Sequence, residues 1–220
     1  MPPDGPAAPP PAGEGRAGTV KAFIDLGTNS VRLLLVRVAP DGVVTSLAER
    51  KETVRLGEGE FADGHLTPAA MDRATLVVRS FAGMARASGA ATVTAVATAA
   101  TREARNRETF LAALRAAAGI EVRTISGLEE ARLIYLGVAS GLHLGDRRAL
   151  FIDIGGGSTE LIVGGQDQHL ALDSLRLGAI RLTGQFFTAD DTGPVSAKRY
   201  ARLRDHVRSS AVRALQRLAA

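Results

Sequence analysis

Apolar and polar positions along this chain alternate between two periods. Lys21–Asp25 and Ser30–Val38 read as strands joined by the turn Leu26-Gly27-Thr28-Asn29. Asp41-Gly42 is a hairpin turn, and Val43–Leu56 continues as a third strand or a bent pair of strands. After the glycine- and acid-containing loop Gly57–Gly64 the period lengthens. Thr67-Pro68 starts a helix, with Thr67 as cap and Pro68 at the first helical position. Met71, Ala74, Val77, Val78, Phe81 and Met84 supply its apolar face, and Gly89 ends it. Ala91–Thr98 is a strand, and Asn106 caps a helix through Ala118 with Phe110, Leu111 and Leu114 inward. Ile120–Ile125 is another strand. Ser126 and Glu129 have capping-box spacing and open a helix to about Leu142. Ala149–Ile154 and Ser158–Val163 form a hairpin, Leu170–Leu177 a further strand, Gly178–Phe187 a short helix and Ser196–Leu218 a long amphipathic one. The order predicts an α/β fold with a mixed sheet covered by helices.

Composition narrows the class. Hydrophobic content of 45% with 23% charged residues is ordinary for a soluble globular protein. The absence of Cys excludes disulfides, thiolate metal sites and a cysteine nucleophile. No apolar run reaches about 18 residues, so no membrane partner is expected. The N-terminus lacks the basic-then-apolar order of a secretory signal, and a cytoplasmic location is expected. The formal charge of +4 and pI of about 10.1 suit a polyanionic ligand. The 27 basic residues are interspersed with 23 acids, however, and no nucleic acid is expected. Residues 1–18, rich in Pro, Gly and Ala, read as a disordered leader.

The most informative stretch is Phe151 to Val163, where two apolar runs flank Gly155, Gly156 and Gly157. Such a turn can aim several N–H groups into one concavity that suits phosphate. Asp153 and Glu160 bracket it, where oxygen ligands for a hard divalent cation can be placed. An ordinary hairpin with acids facing solvent accounts for the stretch equally well when it is taken alone. Phe23 to Leu35 then aligns onto it without gaps at a constant offset of 128, with Phe, Ile, Asp, Gly, Ser and Leu coinciding. Two duplicated halves holding a phosphate chain between them account for that repeat.

The arrangement resembles the actin / sugar kinase / heat-shock chaperone ATPase superfamily, with its ribonuclease H-like duplicated lobes. Asp25-Leu-Gly-Thr-Asn-Ser30, Thr98-Ala-Ala-Thr-Arg102-Glu-Ala, Ile125-Ser-Gly-Leu-Glu-Glu-Ala-Arg132 and Asp153-Ile-Gly-Gly-Gly-Ser-Thr-Glu160 occur in that order. Together they are similar to the exopolyphosphatase / guanosine pentaphosphate phosphohydrolase family, from about Lys21 to the C-terminus. The resemblance implies a first lobe over 19–126 and a second over 127–220, the latter incomplete because the family's second lobe continues further. It also implies Mg²⁺-dependent hydrolysis of phosphoanhydride bonds in polyphosphate or guanosine pentaphosphate, and a homodimer. A non-catalytic polyphosphate or alarmone binder and an ATP-dependent phosphotransferase remain open on the same scaffold.

The residues take expected roles on that basis. Gly27, Thr28, Asn29 and Ser30, with Gly155, Gly156, Gly157, Ser158 and Thr159, supply backbone and hydroxyl donors to phosphate. Arg102 and Arg32 grip phosphate oxygens, although a solvated strand end explains Arg32 as well. Asp153 and Glu160 resemble the family's Mg²⁺ carboxylates, with Asp25 on the same network. Glu130 is the expected general base, because Glu129 has a capping task at N3 and the resemblance favours the second acid. The four histidines show no ligand spacing, and the arginines of the last helix read as a solvated basic face.

Overall fold

The computed structural model describes residues 18–188 and 191–219; the expected leader lies outside the described residues but for Gly18. β1 (Thr19–Leu26), β2 (Ser30–Val38) and β3 (Val44–Thr53) form an antiparallel meander. Ala22, Ile24 and Leu26 alternate into the core from β1, as Val31, Leu33 and Leu35 do from β2. β3 stops at Thr53 rather than Leu56, because the N–H groups of Val54 and Arg55 turn to the Asn29 carbonyl, both at 2.9 Å. The expected loop after it contains a one-turn helix, α1 (Glu60–Asp63).

Helix α2 (Pro68–Ala87) follows, with the Thr67 hydroxyl accepting from the Ala70 N–H at 3.2 Å. It crosses over to β4 (Thr92–Ala97), which lies parallel to β1. Its buried stripe is Ala70, Ala74, Val78, Phe81, Ala82 and Ala85, while the expected Met84 faces solvent. Alanines at the contact let the helix lie close to the sheet. After β4 come a short α3 (Ala99–Glu103), α4 (Arg107–Ala118) and β5 (Val122–Thr124), which completes the sheet order β3-β2-β1-β4-β5. Asn106 is no side-chain cap for α4. Its amide accepts from the Leu66 N–H (3.0 Å) and donates to the Leu66 carbonyl (2.9 Å), clipping the loop before α2 to the start of α4.

The second sheet repeats the meander 128 residues on. β6 (Ala149–Ile154), β7 (Thr159–Gly164) and β8 (His169–Leu175) run antiparallel in the order β6-β7-β8. Helix α5 (Gly127–Ala139) packs Ala131, Tyr135 and Ala139 onto Phe151 and Ile162, with Tyr135 edge-on to Phe151 at 5.5 Å. Helices α6 (Ala179–Phe186) and α7 (Ala197–Ala219) follow, and α7 buries Ala214 against Leu161, Leu175 and Leu177. The duplicated α/β architecture is therefore as the resemblance implied. Among the described residues the outer edge of β6 carries no strand, and Leu150, Ile152 and Ile154 on β6 are exposed. No helix among them is long and apolar enough to cross a membrane.

Replacing Asn106 by Ala strands both main-chain groups of Leu66, a residue only 1% exposed. We expect a loss of about 2 kcal/mol, seen as a fall in melting temperature of roughly 4–8 °C.

Candidate active site

The two hairpin turns close with the same bond, Gly27 N–H to Ser30 O at 3.0 Å and Gly155 N–H to Ser158 O at 2.9 Å. Their other carbonyls are held from behind. The Thr28 oxygen accepts from Gly57 N–H at 2.9 Å, and that of Asn29 from Val54 and Arg55. In the second turn, Gly155 O takes Ala179 N–H (3.0 Å), and Gly156 O takes Ile180 and Arg181 N–H (2.9 and 3.1 Å). The orphan N–H groups at the start of α6 thus find acceptors in the turn. The N–H groups of Thr28, Asn29, Gly156 and Gly157 take no part in these bonds, the arrangement that makes an anion nest.

The turns touch one another. A Cβ on Gly157 would lie 2.6 Å from Ala99 Cβ and 2.7 Å from Thr28 Oγ1, so only glycine permits this approach. Between them is a cavity of about 480 Å³, lined by Asp25, Gly27, Thr28, Asn29, Ser30, Arg32, Lys51 and Thr98 from the first lobe. Glu130, Asp153, Gly155, Gly156, Gly157 and Ser158 line the other wall with Ile134, Ile154, Ala179 and Ile180.

Strand register sets the charges. Asp25 pairs with Arg32, and Arg32 with Lys51, in one row across the first sheet. The equivalent row of the second sheet is Asp153, Glu160 and Ser174. Glu160 is 1% exposed, and its Oε1 accepts from the Ser174 hydroxyl at 2.8 Å. Burial raises its pKa, opposed by the Ser174 and Ser158 hydroxyls and reinforced by Asp153. Although Asp25 opens onto the cleft, desolvation by the cleft walls raises its pKa too, with Arg32 opposing and Asp153 adding.

Glu130 lies in the first turn of α5. Arg102 Nη1 donates to Glu130 Oε2 at 2.9 Å and to Ile125 O at 3.0 Å. Burial, and then the facing Glu160, push Glu130 up to about 7 despite that arginine. Glu129 points elsewhere and pairs with Arg123 at 2.8 Å. Its backbone N–H donates to Ser126 Oγ, but its carboxylate makes no return bond, so only half of the expected capping box forms.

Twelve of the expected residues line this one cavity, and three do not. Arg102 borders a neighbouring cavity of about 520 Å³ together with Ser126, Ser158 and Ser174. Glu160 lies buried beside Ser174. Thr159 is a correction: its hydroxyl donates to the Leu177 carbonyl and is unavailable to phosphate. Lys51 went unforeseen, since a lysine in β3 carries no local signal, and Thr98, which opens the motif that contains Arg102, was given no role of its own. Two histidines pack on aromatic rings, His169 on Tyr135 and His206 on Phe186. Among the described residues no three acids or histidines form a ready-made metal cage. The donor set still fits a hard cation. Asp25, Asp153, Glu130 and Glu160 face one another with Arg32 and Arg102 as nearby positive charges, and Mg²⁺ draws most of its ligands from water and phosphate.

Where the lobes meet, α1 packs on α6 and carries Glu60, 1% exposed, with Oε2 unpartnered. Burial first, then the neighbouring Glu103, raise its pKa to about 7.

Residues 35–219 match the model of the Ppx/GppA phosphatase family. The chain is 36% identical over 182 residues to exopolyphosphatase 1 of Mycobacterium tuberculosis, covering 83% of this chain and 52% of that protein. It is 36% identical to the Mycobacterium leprae exopolyphosphatase 1, at 83% and 53% coverage. The chain thus spans about half the length of the curated relatives it matches. Its fold superposes on an exopolyphosphatase from Cytophaga hutchinsonii with a TM-score of 0.82 at 30% identity, covering 88% of this chain and 61% of that one. The Aquifex aeolicus PPX-GPPA enzyme gives 0.70 at 28%, with coverages of 89% and 64%.

Two outcomes test this geometry. Gly157→Ala drives a methyl group into Ala99 and Thr28, and we expect it to part the turns and reduce phosphate binding by at least about tenfold, read by calorimetry. Glu60 has a folded-state pKa above its unfolded value, so its contribution falls as pH rises from about 4.5 through about 7. Glu60→Gln should therefore leave the melting temperature unchanged near pH 4 and raise it by roughly 5 °C at pH 8.

Proposed function

This chain belongs to the Ppx/GppA phosphatase family, and from that premise we propose that it hydrolyses the terminal phosphoanhydride bond of inorganic polyphosphate. One observation carries the reading: two anion-binding turns face each other across a cavity with a carboxylate of raised pKa, Glu130, on its wall. Phosphoryl transfer asks little of a protein beyond positioning, charge neutralisation and an oriented water. The free N–H groups of Thr28, Asn29, Gly156 and Gly157, with the Ser30 hydroxyl, hold the terminal phosphate. Arg32 and Lys51 neutralise the next phosphate along. Arg102 holds Glu130 in place and adds positive charge at the reacting phosphoryl group.

Glu130 accepts a proton from water as the water oxygen bonds to phosphorus. The bridging P–O bond breaks on the opposite side and its electrons leave with the shortened chain. Orthophosphate and a polyphosphate one unit shorter are the products. Asp153 and Glu160, with Asp25 beside them, would hold a Mg²⁺ ion, which would supply charge neutralisation to the phosphate oxygens when bound. Water as acceptor, rather than a second substrate, is supported by the position of Glu130 on the wall beside Asp153.

The purified chain with Mg²⁺ and polyphosphate, guanosine pentaphosphate or ATP, followed by free phosphate, separates the possibilities. Release from polyphosphate is expected. Transfer to an added acceptor, or binding without release, overturns the reading. Glu130→Gln should lower turnover about 10²–10⁴-fold with near-normal binding. Glu130 must be ionised to act, so the wild-type rate should rise with pH through about 7, at lower pH once a cation binds, and the variant should lose that limb. Asp153→Asn should shift half-activation to a higher Mg²⁺ concentration by at least about tenfold.

A further inference from the structure

A single guanidinium ties the glycine turn of the second lobe to the first. Arg181, on α6, is 5% exposed. Its Nε donates to the Gly157 carbonyl at 2.6 Å, and its Nη2 to Glu103 Oε1, also at 2.6 Å, on α3 of the first lobe. The guanidinium lies 4.0 Å above the Phe61 ring of α1. Glu103 is held on its other oxygen by Arg176 at 2.9 Å. A planar fork of donors with a stackable face suits this three-way contact, and lysine cannot reproduce it.

The location of the contacts argues for more than lobe adhesion. Gly157 belongs to the turn whose amides face the cavity, and its carbonyl is the one α6's backbone leaves unbound. Glu103 directly follows Arg102, which holds Glu130. One side chain therefore spans from the phosphate-binding turn to the helix that carries Arg102, the arginine bonded to Glu130. We propose that Arg181 is a positioning residue, anchored on Glu103, which fixes the Gly155–Gly157 turn at its working distance from Thr28 and Arg102.

The activity arm of the test rests on the hydrolase reading, whereas the exchange arm does not. In Arg181→Met, amides of residues 155–158 and 27–30 should exchange with deuterium at least about tenfold faster, with α2 and residues 31–38 of β2 unchanged. Turnover of polyphosphate should fall about 10²-fold with KM moving less than about threefold, because the turns still bind but are misplaced. Arg181→Lys should recover part of the Glu103 contact and little of the turnover. Glu103→Gln keeps the shape and should show the same exchange pattern more weakly, and combining it with Arg181→Met should add less than twofold. Unchanged exchange at 155–158 in Arg181→Met overturns the proposal. So does an additive double variant. If Arg181→Met fails to fold, Glu103→Gln decides by the same amides, with wild-type exchange there counting against the proposal. A wild-type chain that releases no phosphate defeats the hydrolase reading, while the exchange result still decides for or against the role of Arg181.

Discussion

A peptide group that offers its N–H to a ligand must turn its carbonyl elsewhere and satisfy it there, or it carries an unpaired acceptor into a closed site. Both turns of this protein meet that requirement in the same way. Residues following β3 hold the carbonyls of Thr28 and Asn29, and the start of α6 holds those of Gly155, Gly156 and Gly157. The elements behind the turns therefore determine what the turns present. α6 is short, and its first turn has a task that sheet packing alone would not require.

The same cleft concentrates charge at a cost. Four carboxylates lie in or beside a partly desolvated cleft with two arginines and a lysine, and burial raises the pKa values of Asp25, Glu130 and Glu160. Like charges held this close disfavour the folded state unless a cation or a proton arrives. The buried Glu60 adds a similar burden at the lobe boundary. A site of this kind trades stability for readiness, and the apolar packing of α2, Phe110 and Leu114 against the five-stranded sheet offsets it.

The sequence made some of this legible and left the rest hidden for physical reasons. The 128-residue offset between the hairpins predicted matching turns, and the structure gives them the same closing hydrogen bond. Thr67 and Pro68 announced α2 because capping is local. Asn106 looked the same by that standard, yet its amide reaches 40 residues back to Leu66. Lys51 joins the charged row only through the register of β2 with β3, which a bulge at Leu35/Val36 shifts along the strand. Arg181 and Glu103 are 78 residues apart, and nothing in either neighbourhood signals the other. Thr159 was misread because adjacency to Ser158 suggested a shared role, whereas entry into β7 sends its hydroxyl to Leu177.

The β6 edge bears on how the molecule behaves in company. Its counterpart β1 has β2 on one side and β4 on the other, while β6 has only β7 among the described residues. Unpaired main-chain groups run beside exposed Leu150, Ile152 and Ile154, so the strand presents both the template and the adhesive for edge-to-edge growth.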